Sequence, residues 1–354
     1  MTRVVIVGAG IVGLMCALRL VKEGARVTLL EADPDDLDVF RAGASAAAAG
    51  MLAPFDSKDG AHAALALDSF DLWRKLTPGA PWSEGVRFDG GVIASPDERD
   101  AAALQARVMG LGRAVAPLSR GQIAKRLGLN AALDHALAVE DEGVADPIYV
   151  LGGLKFEARR LGVALRHDQD VERVTPHSVH TFTGEDYEAD SVLLAPGVWA
   201  SDAIASAAPA LKRIRPAKGH LVSVRLAKPL KANLHAPGFY LARRREDVVL
   251  GASVQLDRYD KQTEAAEVEK LLAAAEAVAP GAVKPAGRAW TGVRPMSPDG
   301  WPMVGRSNGV LVAGGHSRNG WGLAPITAEI VTAYVFGLPI PPAWAALAPQ
   351  RFET

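Results

Sequence analysis

The sequence predicts a two-domain α/β fold, with a parallel-sheet domain joined to an α+β domain built on an antiparallel sheet. Three observations carry this. The chain has 354 residues, and a prior of roughly 150 residues per domain gives two. Arg3-Val4-Val5-Ile6-Val7 is a short apolar run rich in β-branched residues, which suits a strand buried on both faces of a parallel sheet. From Gly219 to Val254 the pattern turns β-rich, alternating in His220-Leu221-Val222-Ser223-Val224-Arg225 as a half-buried strand does.

Composition narrows the function classes. Hydrophobic residues make 49% and charged residues 22%, enough to bury a sizeable core. The net charge of −1 provides no basic field for nucleic acid or an anionic membrane. The single cysteine allows neither an internal disulfide nor a Cys-rich metal site, and it suits a reducing compartment. No apolar run is long enough to span a bilayer. Met1 leads straight into a strand pattern without a signal peptide. The expectation is a cytoplasmic protein.

Along the chain, Gly8-Ala9-Gly10-Ile11-Val12-Gly13 follows the first strand, Leu14 to Glu23 is helical in composition, and Gly24 stops it as a C-terminal cap. Ala25 to Glu31 is a second strand, completing a βαβ unit. Ala42 to Ala49 is a run of small residues before Gly50-Met51-Leu52, read as a helix N-terminus that a ligand approaches closely. Asp59 to Leu76 reads as a helix with Leu65, Leu72, Trp73 and Leu76 on one side. Gly85 to Ser95 signals a strand pair around Gly90-Gly91, and Ser95-Pro96-Asp97-Glu98 starts a helix with Ser95 as cap. Short helices follow at Ser119 to Leu127 and from Asp146-Pro147 to Leu161. Strands are expected at Val163 to Arg166, Val179 to Phe182 and Ser191 to Ala195. Thr263 to Val278 is an amphipathic helix, Val310 to Ala313 a last buried strand, and Ala324 to Phe336 the closing helix with Pro325 in its first turn.

The N-terminal unit carries chemistry. Gly8 makes the tight turn, Gly10 lets backbone approach a pyrophosphate, and Gly13 lets helix and strand pack closely. The helix N-terminus supplies N–H donors and partial positive charge. Glu31 ends the next strand, where a carboxylate accepts from ribose hydroxyls. This motif alone leaves FAD and NAD both open.

The far end of the chain separates them. Thr291-Gly292-Val293-Arg294-Pro295 precedes Asp299-Gly300-Trp301-Pro302-Met303-Val304-Gly305. Gly314-Gly315-His316-Ser317-Arg318-Asn319-Gly320-Trp321-Gly322-Leu323-Ala324-Pro325 follows. With Ser45 to Leu52 and Ala195-Pro196-Gly197-Val198-Trp199, these segments resemble the glycine oxidase and D-amino-acid oxidase family of flavoproteins, glycine oxidase-like members most. The resemblance runs from Arg3 to Pro325, strong at both ends and weak between Phe55 and Val139. One extra alanine between Ser45 and Met51, and Trp321-Gly322 in place of an aliphatic pair, depart from it. Both departures bear on the shape of the pocket.

The resemblance implies a Rossmann-like FAD-binding domain of the glutathione-reductase type, made of residues 1–80, 140–210 and 288–354. It implies a substrate domain of residues 81–139 and 211–287 on the antiparallel sheet. FAD, held non-covalently, would be bound by Gly8, Gly10, Ile11, Val12 and Gly13, by Glu31 and Ala32, and by Ala44, Ser45, Ala49, Gly50 and Met51. The backbone of Val171 holds the adenine end, and Gly197 lies in the second nucleotide-side turn. His316, Ser317, Arg318, Asn319, Gly320, Trp321 and Gly322 wrap the flavin ring. Arg294 stands where the family binds the substrate carboxylate, with Arg318 as a second substrate-side arginine and Tyr240 and Met51 completing the pocket.

The implied reaction is oxidation of a small amino acid or secondary amine of glycine, sarcosine or D-amino acid type. Hydride passes from Cα to flavin N5, water hydrolyses the imine to an oxo acid, and O2 takes the electrons as H2O2. No side chain is expected to act as general acid or base. A dehydrogenase of an N-methyl or cyclic amino acid or a 2-hydroxy acid with a quinone acceptor is the alternative, and a flavin-binding sensor the non-enzymatic one. The motifs point to no metal, and oligomeric state is left open. His220 reads as structural, His316 as a flavin-contacting backbone position and not an acid or base, Cys16 as packing, His62 as a remote candidate for flavin attachment, and Glu140-Asp141-Glu142 as solvated loop charge.

Overall fold

The computed structural model describes residues 1–36, 43–57 and 59–353; Ala42, the first of the small residues read above, lies outside them. Four buried residues of Arg3–Val7 place that strand inside a six-stranded sheet. It pairs in parallel with Arg26–Leu30 on one side and Ser191–Leu194 on the other. Ala164–Arg166 extends the sheet beyond Arg26–Leu30, and Val310–Gly314 beyond Ser191–Leu194, both in parallel. Met303–Ser307 closes the edge antiparallel to Val310–Gly314. The first helix, Ile11–Lys22, begins three residues earlier than composition suggested, because Gly10 already serves as its cap in extended conformation.

The second large sheet has nine strands. At its centre Arg215–Leu226 pairs antiparallel with the long strand Val283–Met296 on one side and with Val248–Gly251 on the other. Phe239–Arg243 and Asn233–Ala236 continue it, and Asn233–Ala236 runs parallel to Gly91–Ala94. Ala136–Val139 and Val115–Leu118 complete that flank. The helix Ala265–Val278 packs its buried Leu271 and Ala275 on this sheet's core. Two three-stranded sheets complete the fold. One is a meander over residues 171–188, and the other joins Met51–Leu52, Gly143–Ala145 and Val86–Arg87.

Several local expectations are corrected. Val86–Arg87 and Gly91–Ala94 are not a hairpin, since they enter different sheets. Ser95 does not cap the next helix. Asp97 does, accepting from the Asp100 N–H at 2.8 Å ahead of Glu98–Gly110. Ser119 with Gln122 forms a capping box for Arg120–Leu127.

The closing helix, Gly320–Phe336, starts four residues before its expected start, so Pro325 lies inside it and not in its first turn. Proline there breaks the local hydrogen-bond ladder. Ser69 of the helix Gly60–Leu76 repairs the break, because its Oγ donates to the Gly322 carbonyl at 2.6 Å and accepts from the Ile326 N–H at 3.2 Å. This helix is buried almost all round, against Ile11–Lys22 on one side and Gly60–Leu76 on the other. No helix among the described residues is long and apolar enough to cross a membrane.

Candidate active site

A cavity of about 860 Å³ runs between the six-stranded and nine-stranded sheets, within the size range of cofactor pockets. Its floor at one end is the turn after the first strand. Gly8, at φ +102°, has no room for a side chain, since a β-carbon would fall 2.3 Å from the Ala195 carbonyl oxygen. A β-carbon at Gly13 would fall 1.9 Å from the Gly8 carbonyl oxygen, which fixes the close helix–strand approach. The N-terminal end of Ile11–Lys22 lies on the cavity, which Gly8, Ala9, Gly10, Ile11 and Val12 line. Glu31 lines the cavity beside this turn, with Ala32, Val171 and Gly197 on the walls. Its carboxylate accepts from the Ala9 N–H at 2.7 Å and the Asp33 N–H at 3.2 Å. Two carboxylate oxygens offer about four acceptor positions, so capacity for ligand hydroxyls remains.

The small-residue segment forms the second wall, a short helix at Ala44–Ala47 capped by Gly43. Ser45 Oγ accepts from the Ile11 N–H at 3.0 Å, joining this helix to the first turn of Ile11–Lys22. Two indoles hold it from behind: Trp321 Nε1 donates to the Ser45 carbonyl at 3.0 Å and Trp290 Nε1 to the Ala47 carbonyl at 2.9 Å. Trp321 stacks on Trp73 with ring centroids 6.2 Å apart. The Trp321 departure from the family pattern thus braces the wall of the cavity. Ala44, Ser45, Ala49, Gly50 and Met51 all line it.

His316, Ser317, Arg318, Asn319, Gly320 and Trp321 line it too. The His316 ring is buried and shares a 2.9 Å hydrogen bond with Thr327 Oγ1. Burial pushes its pKa down to about 4, so the imidazole is neutral near pH 7. Ser317 N–H donates to the Pro295 carbonyl at 2.9 Å, and the Ser297 N–H donates to Ser317 Oγ at 3.2 Å. Those bonds tie the loop to the strand that carries Arg294.

Arg294, Tyr240, Arg318 and Met51 meet at the end of the cavity nearest the nine-stranded sheet. The Arg294 guanidinium lies over Gly219 of the paired strand, where a β-carbon would fall 2.4 Å from Nη1. The Tyr240 ring lies over Gly251 in the same way, with the hydroxyl 2.5 Å from a β-carbon built there. Arg294 donates to the Ser253 carbonyl at 3.2 Å and interacts with the Tyr240 hydroxyl. No carboxylate among the described residues lies within ion-pair distance of it, whereas Arg318 Nε is 3.7 Å from Asp56 Oδ2. Burial lowers the Arg294 pKa and raises that of Tyr240, as expected for a cation and a phenol withdrawn from water.

The comparisons with known proteins agree with this geometry. The family model described as FAD dependent oxidoreductase, DAO, matches residues 3–334. The chain belongs to this family of FAD-dependent oxidoreductases. It is 29% identical over 365 residues to a glycine oxidase of Bacillus licheniformis, covering 96% of this chain and 94% of that one. It is 30% identical over 375 residues to a bifunctional protein ThiO/ThiG of Nostoc sp., of whose length it spans 52%. The crystal structure of glycine oxidase from Geobacillus kaustophilus superposes with a TM-score of 0.86 at 26% identity, covering 99% of each chain.

FAD is the cofactor of this oxidoreductase, and the chain fits it: a glycine turn without room for side chains, an acidic strand end and a cavity of matching extent. Not every residue expected at the site faces the cavity. Gly13 packs helix on strand. Gly322 lies over Ser69 and Asn319, away from the main cavity. Cys16 is fully buried inside its helix with its pKa raised by burial. His62 stacks on Trp301 at 4.6 Å. Neither of these two lines the cavity.

His220 faces the back of the site. Its Nε2 accepts from the Glu264 N–H at 3.1 Å and its Nδ1 is 2.8 Å from Ser253 Oγ, so it braces the residue whose carbonyl holds Arg294.

Sequence reasoning missed one pair. Glu140 is exposed, but Asp141 and Glu142 are buried, which corrects the reading of all three as solvated charge. Asp141 lies between Arg74 at 3.6 Å and Arg113 at 3.5 Å. Glu142 Oε1 is 2.8 Å from His235 Nε2, and His235 lines the cavity with Arg294 and Tyr240. No local signal marks this pair, because 93 residues separate its members.

Proposed function

We propose that this oxidoreductase oxidises a small amino acid or secondary amine bearing one free carboxylate, of glycine, sarcosine or D-amino acid type. The products are an imine, hydrolysed to the oxo acid, and H2O2 from O2. One observation carries the reading: Arg294 is a cavity-lining cation held by a backbone carbonyl and a phenol, with no carboxylate partner among the described residues. A desolvated guanidinium wants an anion, and its planar fork matches a carboxylate. Gly219 gives that fork its place, and Tyr240 supplies a hydroxyl beside it. Arg318, paired to Asp56 and half exposed, covers the outer side.

When bound, FAD supplies the two-electron acceptor for the substrate Cα–H bond. The chain's own work is orientation and exclusion of water. Arg294 and Tyr240 fix the carboxylate, and Met51 and Leu221 add apolar wall. The first amides of Ile11–Lys22 and Glu31 hold the cofactor, without a covalent tether, since Cys16 and His62 lie off the cavity. In this reading residues 1–80, 140–210 and 288–354 hold FAD, and residues 81–139 and 211–287 serve the substrate.

The test is an H2O2 assay across glycine, sarcosine, D-amino acids and cyclic imino acids. Peroxide with at least one of them supports the reading. Flavin reduction by an amine that only a quinone reoxidises would make the protein a dehydrogenase, and no reduction by any amine would overturn the proposal.

A further inference from the structure

Oxidation of an amine demands a free lone pair on nitrogen, yet amino groups are mostly protonated near pH 7. Something must take that proton. His235 is placed to do so. It sits on Asn233–Ala236, directly across from Tyr240 in the paired strand, and it lines the same cavity as Arg294. Its side chain is 15% exposed while that of Glu142 is 1% exposed. Gly91 makes room for that carboxylate, since a β-carbon there would fall 2.4 Å from Glu142 Oε2. A carboxylate only accepts, so the imidazole hydrogen sits on Nε2 and points at Glu142. Nδ1 makes no hydrogen bond among the described residues and is not sealed from the cavity. A carboxylate fixing one ring nitrogen while the other stays free is the arrangement of an oriented base.

We propose, on the reading that this site oxidises amino acids, that His235 held by Glu142 is the catalytic base that accepts the substrate's ammonium proton. The step balances simply: the ammonium N–H bond breaks, a proton joins Nδ1, and the pair left on nitrogen is the amine lone pair. No electron is transferred in it. The imidazolium so formed faces Glu142 and Asp56, which favour it, and Arg318, which opposes it. Tyr240 stands on the neighbouring strand, and Arg294 on Val283–Met296 further across the same sheet. Burial pulls the His235 pKa down, but the charge and hydrogen bond of Glu142 outweigh it and the net shift is upward. That favours holding the proton until it leaves through the cavity mouth.

The experiment is anaerobic rapid mixing of the holoenzyme with glycine, sarcosine, D-alanine or D-proline across pH, reading flavin bleaching. The native protein should show a rise in the second-order rate with an inflection above the ordinary histidine value of about 6.5, then a plateau. In His235→Asn the inflection should vanish. The rate should climb about tenfold per pH unit towards the pKa of the free amine, and at pH 7 it should fall about 100-fold. Acetate, which has no amine, should perturb the flavin spectrum of this variant with unchanged affinity, as a check on Arg294. Glu142→Gln, which keeps a hydrogen-bond partner without the charge, should move the inflection to lower pH. A native-like profile in His235→Asn would overturn the proposal. If that variant does not fold, an unmoved inflection in Glu142→Gln overturns it instead. Failure of all four amines to bleach the native flavin would overturn the amino-acid reading itself, a separate result.

Discussion

The guanidinium of Arg294 rests on the α-carbon of Gly219, two positions along the paired strand from Ala217, its direct cross-strand partner, closely enough that a methyl group there would fall 2.4 Å from Nη1. Arg294 is therefore placed by what its neighbour lacks.

Gly219→Ala should push the guanidinium off its seat. Both residues lie in the middle of paired strands, so the fold and the bound FAD should survive. KM for a carboxylate substrate should rise by about tenfold or more, equal to roughly 1.4 kcal/mol. Steady-state kinetics beside a flavin-to-protein absorbance ratio checks this; an unchanged KM with full flavin content would place the carboxylate elsewhere.

Arg294→Ala should be more severe. Removing one partner of a desolvated charge pair costs about 2–5 kcal/mol, so kcat/KM should drop about 30-fold or more. Arg294→Lys should recover only part of this, since an ammonium lacks the planar fork. Carboxylate inhibitors should lose affinity in parallel. A variant that loses FAD but turns over normally once reloaded would make Arg294 a cofactor ligand.

Glu31→Ala should weaken FAD binding. Hydrogen bonds to a charged group are worth about 1.5–3 kcal/mol, or roughly 10- to 150-fold in Kd. The Ala9 and Asp33 amides also lose their acceptor, which loosens the turn. Titration of the apoprotein with FAD measures the effect. Acid precipitation of the native protein should leave the yellow colour in the supernatant, and colour retained in the pellet would show a covalent bond.

Stability should fall in mild acid because of His316. The folded chain keeps its imidazole neutral down to about pH 4, whereas the unfolded chain protonates near the ordinary value of 6.5. Its folded pKa is depressed, so the unfolded state binds more protons between these values and stability declines as pH drops through that window. The full loss from this group is about 3 kcal/mol. Denaturant melts between pH 7 and 4 should flatten in His316→Gln, and an unchanged slope would assign the acid sensitivity to other groups.

The nucleotide end was largely legible in the sequence, and the reason is locality. The turn, the helix start and the acidic strand end occupy one continuous stretch from Arg3 to Glu31, where backbone conformation dictates residue type. The end around Arg294 is assembled across strands. Gly219 gains its meaning only from Arg294, Gly251 only from Tyr240, and Glu142 only from His235. Family likeness supplied Arg294 and Tyr240, but it did not supply the two seats or the buried carboxylate. An acidic run reads as solvated until its neighbours are known, and Gly90-Gly91 reads as the middle of a strand pair, although the two strands enter different sheets and Gly91 clears space for Glu142. Pro325 shows the converse, since local rules placed it at a helix start while Ser69, far away in sequence, let the helix begin earlier.

The order of strands in the six-stranded sheet also governs how this protein is born. Arg3–Val7 leaves the ribosome first, but its partner Ser191–Leu194 comes much later and Val310–Gly314 last of all. At about 5–20 residues per second of synthesis, the N-terminal strand waits on the order of 15–60 s for the sheet it belongs to. The cavity, which needs both Gly8 and His316, closes only after the segment around His316 has been made. Truncated products should therefore carry the nucleotide motif intact and still emerge colourless.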